Sequence, residues 1–394
     1  MRMIAPARLA VAWLTMFLVG TELFVFSPLL PVLVAEYHVT PGLAGLSVTI
    51  FSLAYMVSAP LFGYFSDRIG RRRVLVCSLL AFALANILTA GAANLPSLLV
   101  VRLFAGAAAA GVSPSIYALV GGAAPPERRA SWLALVVSGL LVSLAIGASA
   151  GGLVAAVFGG PSVFLALAGV SLVLVWVNRW VWQCEDDRAA AGRDATAPGP
   201  LGAAVLARRL IPMVVWSTGL YSVYTYLGAG LASVGFSTGQ TAGAILSYGC
   251  GAIVGDLVGG RVADRLGVNF TASASLAGLC ACLLLLRLAL DAGSLVEPAL
   301  GVSSAVAQLF FPAQQAGLAS DFPRQRAAVL AWNNSALFLG IALGSLIGGQ
   351  AVAAGGFDVN LTISACIALS GCVANAILVP GRVPLRPKKN SPRQ

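Results

Sequence analysis

Glu22 stands near the midpoint of an apolar run from Leu9 to about Val34. An ionisable side chain at the centre of a bilayer is costly, faces the interior of a helix bundle and marks a functional position. Because burial disfavours the charged carboxylate, Glu22 is suited to load and release a proton. A substrate contact and a permanently protonated packing residue are the other roles open to it. Arg102 lies in another apolar run, ahead of Gly106 and Gly111. Inside a bundle its guanidinium needs a carboxylate, carbonyl or water partner, although a turn or two from the outer edge it could snorkel instead. Trp216, Tyr221, Tyr224 and Tyr226 crowd one run, and Asn333 and Asn334 follow Trp332 in another, with Gln314, Gln315 and Asn86 as further polar groups. Buried phenols and amides must find hydrogen bonds, and a cavity mixing aromatic faces with few polar groups holds small molecules. We expect substrate contacts from Glu22, Trp216, Tyr221, Tyr224, Gln314, Asn333 and Asn334, with part of this set bridging helices instead. A cavity carboxylate favours cationic or neutral polar molecules, an effect that Arg102 offsets. Asp256, near the edge of its run, reads as structural, and Arg287 and Asp291 are spaced to pair at i, i+4.

Missing residue types narrow the chemistry further. The lysines are Lys388 and Lys389, both in the tail, so no phosphate-binding P-loop with its lysine and no lysine Schiff base inside a helix is expected. His38 is the sole histidine, which leaves neither a histidine metal cluster nor a Ser/His/Asp triad. The 7 cysteines lie in or beside apolar runs without metal-ligand spacing and read as small packing residues. An enzyme, a metal site and an organic cofactor are all unsupported, and a proton gradient is the expected energy source. The formal charge of +10 is not a nucleic-acid footprint, which needs basic residues gathered on one solvated face; here they are distributed by loop. The expected partners are a small-molecule substrate, protons and the lipid bilayer, with a monomer as the simplest assembly.

These groups must be carried by membrane-spanning helices. At 59% hydrophobic and 10% charged, the 394-residue chain is too apolar for a soluble protein, and its runs reach the roughly 20 residues that cross a bilayer as a helix. Six runs fall near 9–34, 42–65, 73–93, 97–121, 129–156 and 162–183, and six more near 208–231, 239–262, 270–290, 297–318, 326–352 and 359–380. The expectation is an all-α membrane protein with twelve transmembrane helices in two pseudo-symmetric six-helix bundles, residues 1–183 and 208–380. A Pro/Gly/Ala-rich linker, 184–207, joins the bundles, and a basic tail, 381–394, follows them. Arginines gather in every second loop and in the tail, so by the positive-inside rule both termini are cytoplasmic and the membrane is the inner (plasma) membrane.

Repetition supports the two halves. Gly63-Tyr-Phe-Ser-Asp67-Arg68-Ile-Gly70, followed by Arg71 and Arg72, recurs as Gly260-Arg-Val-Ala-Asp264-Arg265-Leu-Gly267 at an offset of 197. The first copy resembles the signature loop of the major facilitator superfamily between its second and third helices. There, glycine allows close helix approach and the Asp pairs with a nearby Arg or helix N-terminus. Such a latch holds one access state and breaks in the other; Gly63, Asp67, Arg68, Gly70, Arg71, Arg72, Gly260, Asp264 and Arg265 are assigned to it. Arg102-Leu-Phe-Ala-Gly106 is similar to the family's second signature, whose Arg is associated with proton coupling in relatives, although Ala105 replaces the common Gln. Gly147-Ala148-Ser149-Ala150-Gly151-Gly152 resembles a motif of exporters. Ala148 stands where those carry Pro, so the kink is not secured, and helix packing through Gly147 and Gly151 explains the glycines equally. Tyr224-Thr-Tyr-Leu-Gly228, Trp332-Asn333-Asn334 and Gly340-Ile-Ala-Leu-Gly344, the last with two packing glycines, resemble the arabinose-efflux-like, drug:proton antiporter branch. The resemblance implies proton-coupled efflux of drugs or other small organic molecules by alternating access, with Glu22 carrying the proton and Arg102 modulating it. The alternative is a proton-independent facilitator or importer of a sugar, nucleoside or similar metabolite.

Overall fold

A computed structural model of the chain describes residues 4–125, 128–183, 202–323 and 325–379. Most of the expected linker and the basic tail lie outside the described residues. The first part of the chain forms α1 (Ile4–Phe24), α2 (Phe26–Tyr37), α3 (Pro41–Ile69), α4 (Arg71–Ala90), α5 (Leu95–Ala123), α6 (Arg129–Val142), a π-helical segment (Ser143–Gly147), α7 (Ala148–Phe158) and α8 (Gly160–Val181). The second part forms α9 (Ala203–Ser233), α10 (Thr238–Leu266), α11 (Val268–Ala289), a 3₁₀ segment (Leu290–Leu295), α12 (Val296–Gln308), α13 (Phe310–Asp321) and α14 (Arg326–Leu378). Among the described residues, 10 helices are long and apolar enough to cross a membrane. One of these includes most of α14, which non-helical backbone at Gly355 and Gly356 divides. About ten to twelve crossings result. Helices suit this solvent because they satisfy every backbone N–H and C=O internally.

Several expected loops contract to one or two residues. Gly70 (φ 99°), Gly159 (φ 84°), Gly267 (φ 93°) and Gly356 (φ 78°) each link two helices with a backbone that side chains rarely adopt. Adding the 197-residue offset to Gly70 and Gly159 gives Gly267 and Gly356. Longer turns are closed by side-chain caps: Thr40 before Pro41, and capping boxes at Asn94/Ser97 and Ser237/Gln240.

The same offset governs packing. A side chain on Gly147 would collide with Thr21, and one on Gly151 with Val25, while Gly20 presses on Ser143. Gly344 likewise lies against Thr218, Gly348 against Ser222 and Gly340 against Ser217. Every residue of the second set is 197 positions after its counterpart in the first. Small residues on facing helices thus let α1 approach the α6–α7 span, and α9 approach α14. The π segment immediately precedes Ala148, so an extra-residue turn stands beside the position where the exporter motif carries Pro.

One packing expectation fails. A Cβ on Gly63 or on Gly260 would meet nothing within 4 Å. Close helix approach is therefore not what these two glycines provide in this conformation. Contacts between the two parts of the chain lie elsewhere along α3. Gly42 faces the Gly349 carbonyl, Ser345 Oγ donates to Gly45 O at 2.8 Å, and the Tyr55 and Phe338 rings stack with centroids 3.6 Å apart. These contacts run from the start of α3 to its middle. Gly63 and the turns at Gly70 and Gly267 lie beyond them, toward the opposite end of the molecule.

Candidate functional site

Glu22, two residues before the end of α1, and Arg102, at the start of the third turn of α5, form an ion pair through Oε1 and Nη1. Their exposures are 0% and 1%, so Arg102 does not snorkel to an interface. Its guanidinium carbon sits 4.0 Å from the Phe26 ring centroid and 4.3 Å from that of Phe51, and Nε donates to Ser47 O at 3.4 Å. The aromatic faces give the cation a partly compensated low-dielectric seat. Glu22 Oε2 and Arg102 Nη2 are buried without a hydrogen-bond partner. The pair is thus enclosed but incompletely satisfied, an arrangement in which removing one charge strands the other. Positions 197 residues after Glu22 and Arg102 are Gly219 and Ala299, so the repeat does not duplicate the pair.

Beside it lies a cavity between the two parts of the chain. Met16, Val19, Leu23, Phe24, Phe51, Tyr55, Ser113, Tyr117 and Leu140 line it from the first, and Tyr221, Asn334, Leu337, Phe338 and Ile341 from the second. Leu23, Phe24, Tyr221 and Ile341 also border a smaller adjoining space with Phe26, Ser27, Val48, Tyr224 and Thr225. The lining is apolar and aromatic, with isolated hydroxyls and one amide and no charged side chain. At about 40 Å³ the cavity is far smaller than the roughly 300–1,000 Å³ that drug-sized ligands occupy. It must widen to accept one.

The predicted binding residues divide. Tyr221, Tyr224 and Asn334 border these spaces, and Asn334 Nδ2 lies 3.5 Å from Tyr55 Oη. Trp216 lies elsewhere: its ring stacks on Phe310 at 5.2 Å and its N–H donates to Ala307 O at 2.8 Å, joining α9 to α12 and α13. Gln314 spends its amide on Arg209 O at 2.7 Å, next to the Arg209–Asp321 ion pair. Asn333 is buried with Oδ1 unpartnered and does not line either space. Glu22 faces Arg102 rather than the cavity, which removes the electrostatic ground for a preference toward cations. Sequence reasoning missed Phe24, Phe51, Tyr55, Tyr117 and Phe338. Phe51 and Tyr55 carry an i, i+4 signal, but any buried helix face would show the same.

At the signature turns, Arg68 lies over the Tyr64 ring at 4.2 Å and Arg71 Nη1 donates to Ala118 O at 3.2 Å, tying α4 to α5. Asp264 and Arg265 are exposed. The side chain of Asp67 lies outside the described residues, as does that of Asp291. Arg287 donates to Thr362 Oγ1 at 2.9 Å.

Comparison with known proteins agrees with this architecture. The sequence profile described as Major Facilitator Superfamily matches residues 12–245 and 221–394. The uncharacterized MFS-type transporter YceJ of Bacillus subtilis (strain 168) is 27% identical over 338 residues, covering 85% of this chain and 86% of that protein. The uncharacterized MFS-type transporter YwfA of the same organism is 28% identical over 379 residues, covering 93% and 91%. Among solved structures, the crystal structure of a D-xylose-proton symporter superposes with a TM-score of 0.78 at 17% identity, over 95% of this chain and 98% of that one. A bacterial homolog of the human lysosomal transporter Spinster, solved inward-facing and unoccupied, gives 0.71 at 14% identity, over 95% of each chain. At these identities the two structures speak for the fold.

Proposed function

The chain belongs to the Major Facilitator Superfamily, and from that premise we propose that it is a proton-coupled exporter of small organic molecules working by alternating access. It is a multi-pass membrane transporter and not an enzyme. We read it as twelve spans in two bundles, residues 1–183 and 208–380, joined by the 184–207 linker, a monomer in the inner membrane with both termini cytoplasmic. The conformation described is then closed outside and faces the cytoplasm.

The observation that carries the proposal is the buried Glu22–Arg102 pair beside the cavity. A proton reaching Glu22 neutralises the carboxylate and dissolves the pair, leaving Arg102 to Ser47 O and its two aromatic faces. Loss of the proton restores it. Protonation thereby changes which packing of α1 against α5 is favourable, and α1 also supplies Leu23 and Phe24 to the cavity wall. This is how a proton and a substrate can bias the same two-state element. The uncharged, aromatic lining favours neutral molecules with apolar or aromatic bodies and one or two polar groups. A sugar would leave most of its hydroxyls unpartnered there.

The test is internal pH in proteoliposomes of purified protein as a panel of drugs, sugars and nucleosides is supplied under an imposed substrate gradient. Substrate-dependent proton movement, lost in Glu22→Gln protein that remains folded, is the expected result; unchanged coupling in that variant sinks the assignment. The second reading, a facilitator, is favoured by the near-complete enclosure of the pair, which suits a purely structural role. Flux without proton movement would establish it.

A further inference from the structure

Two prolines of the first span release backbone carbonyls toward the opposite part of the chain. In a helix, the carbonyl of residue i−4 accepts from the N–H of residue i, and proline has none. Pro28 therefore frees Phe24 O, and Pro31 frees Ser27 O. The helix persists around them: Val25 N–H reaches Thr21 O at 2.9 Å and Leu29 N–H reaches Val25 O at 3.1 Å. Tyr224 of α9 donates its hydroxyl to Phe24 O at 3.0 Å, across 200 residues of sequence. One helical turn later Gly228 lies against Ser27 O, so closely that a side chain there would collide with the carbonyl. The Phe24 ring meets the Tyr224 ring edge-on at 5.7 Å. Phe24, Ser27, Tyr224 and Gly228 are buried, where a freed carbonyl is costly unless it finds a partner within the protein, as Phe24 O does in the Tyr224 hydroxyl.

We propose that Pro28, Pro31, Tyr224 and Gly228 form a clasp that holds α1–α2 against α9 and keeps the molecule closed at the end opposite the signature turns, with Tyr224 as the positioning residue. The prolines create the acceptor and tyrosine supplies the donor from the other half. When the halves part at this end the Tyr224–Phe24 bond must break, and Phe24 O is left to water. Because Tyr224 also borders the smaller space beside Leu23 and Tyr221, opening the clasp moves a wall of the candidate binding site. The inference rests on the alternating-access reading but not on proton coupling or substrate identity.

The experiment is pulsed electron–electron distance measurement on the full chain in nanodiscs, with spin labels at Ala35 and Ala232 on a cysteine-free background. One net hydrogen bond predicts that Tyr224→Phe enlarges the long-distance, open population about fivefold. Pro28→Ala returns an N–H to Phe24 O and should enlarge it similarly. The double variant should do no more than either single one, because both act through the same Phe24 carbonyl. Distances unchanged in both single variants, or effects that multiply in the double variant, overturn the clasp. If the unmodified protein shows one distance at every pH, a second, longer distance in Tyr224→Phe supports the clasp, whereas the same single distance in both variants with substrate flux intact overturns the clasp and leaves alternating access standing.

Discussion

At the scale of single residues, the charged centre consists of two side chains that sequence position alone left separate. Glu22 and Arg102 are 80 residues apart in the chain and joined in the fold. A buried pair is a poor source of net stability, yet breaking it by removing one partner typically costs about 3–5 kcal/mol. We therefore expect Glu22→Ala and Arg102→Ala each to lower thermal stability in detergent, and the double variant to lose less than the sum of the two. Strict additivity in that cycle would show that the groups are not coupled. Trp216 gives the opposite lesson. Its type and location suited a binding surface, and only the observed bond to Ala307 O and the stack on Phe310 assign it to packing. Whether a buried aromatic side chain faces a cavity or a neighbouring helix depends on angles that the spacing of residues along one helix does not contain.

At the scale of elements, the glycines separate into three physical classes. Gly70 and Gly267 carry positive φ between helices, so Gly70→Ala should cost about 1–3 kcal/mol through backbone strain. Gly344 lies against the Thr218 carbonyl, and an alanine there must push α14 off α9, lowering the melting temperature sharply. Gly63 and Gly260 sit in helix interiors with open space around them. Gly63→Ala and Gly260→Ala should therefore be neutral or stabilising by about 0.5–1 kcal/mol in thermal unfolding. If these two variants also lose transport, close approach at those glycines belongs to another conformation. A drop in stability comparable to that of Gly344→Ala would contradict the open surroundings. The signature and its repeat were legible from residue types, but not this three-way division. Close approach is a relation between two helices, and one helix's sequence shows only that it is permitted.

At the scale of the whole molecule, the aromatic, uncharged cavity predicts substrate class. Neutral aromatic compounds should displace one another in a binding assay on the purified protein, whereas pentoses and hexoses should not, and Phe338→Ala should weaken the former at least tenfold. Saturable competition by sugars would move the binding site away from Tyr55, Tyr221 and Phe338. The fold class was determined by the sequence: composition and run length demand a membrane solvent, and in that solvent only helices or closed barrels satisfy the backbone. The repeat of Gly63–Gly70 at Gly260–Gly267 is matched in the fold by turns of the same geometry at Gly70 and Gly267, because a positive φ calls for glycine at both. Tertiary structure alone decided that Glu22 meets Arg102 rather than the cavity, and that Phe24, Tyr55 and Phe338 line the site while Gln314 does not. It also decided that the carbonyls freed by Pro28 and Pro31 face Tyr224 and Gly228. Each of these is a distance between helices remote in sequence, set by rotation of one helix against another, and hydrophobic periodicity is nearly blind to rotation when helices are apolar on every side.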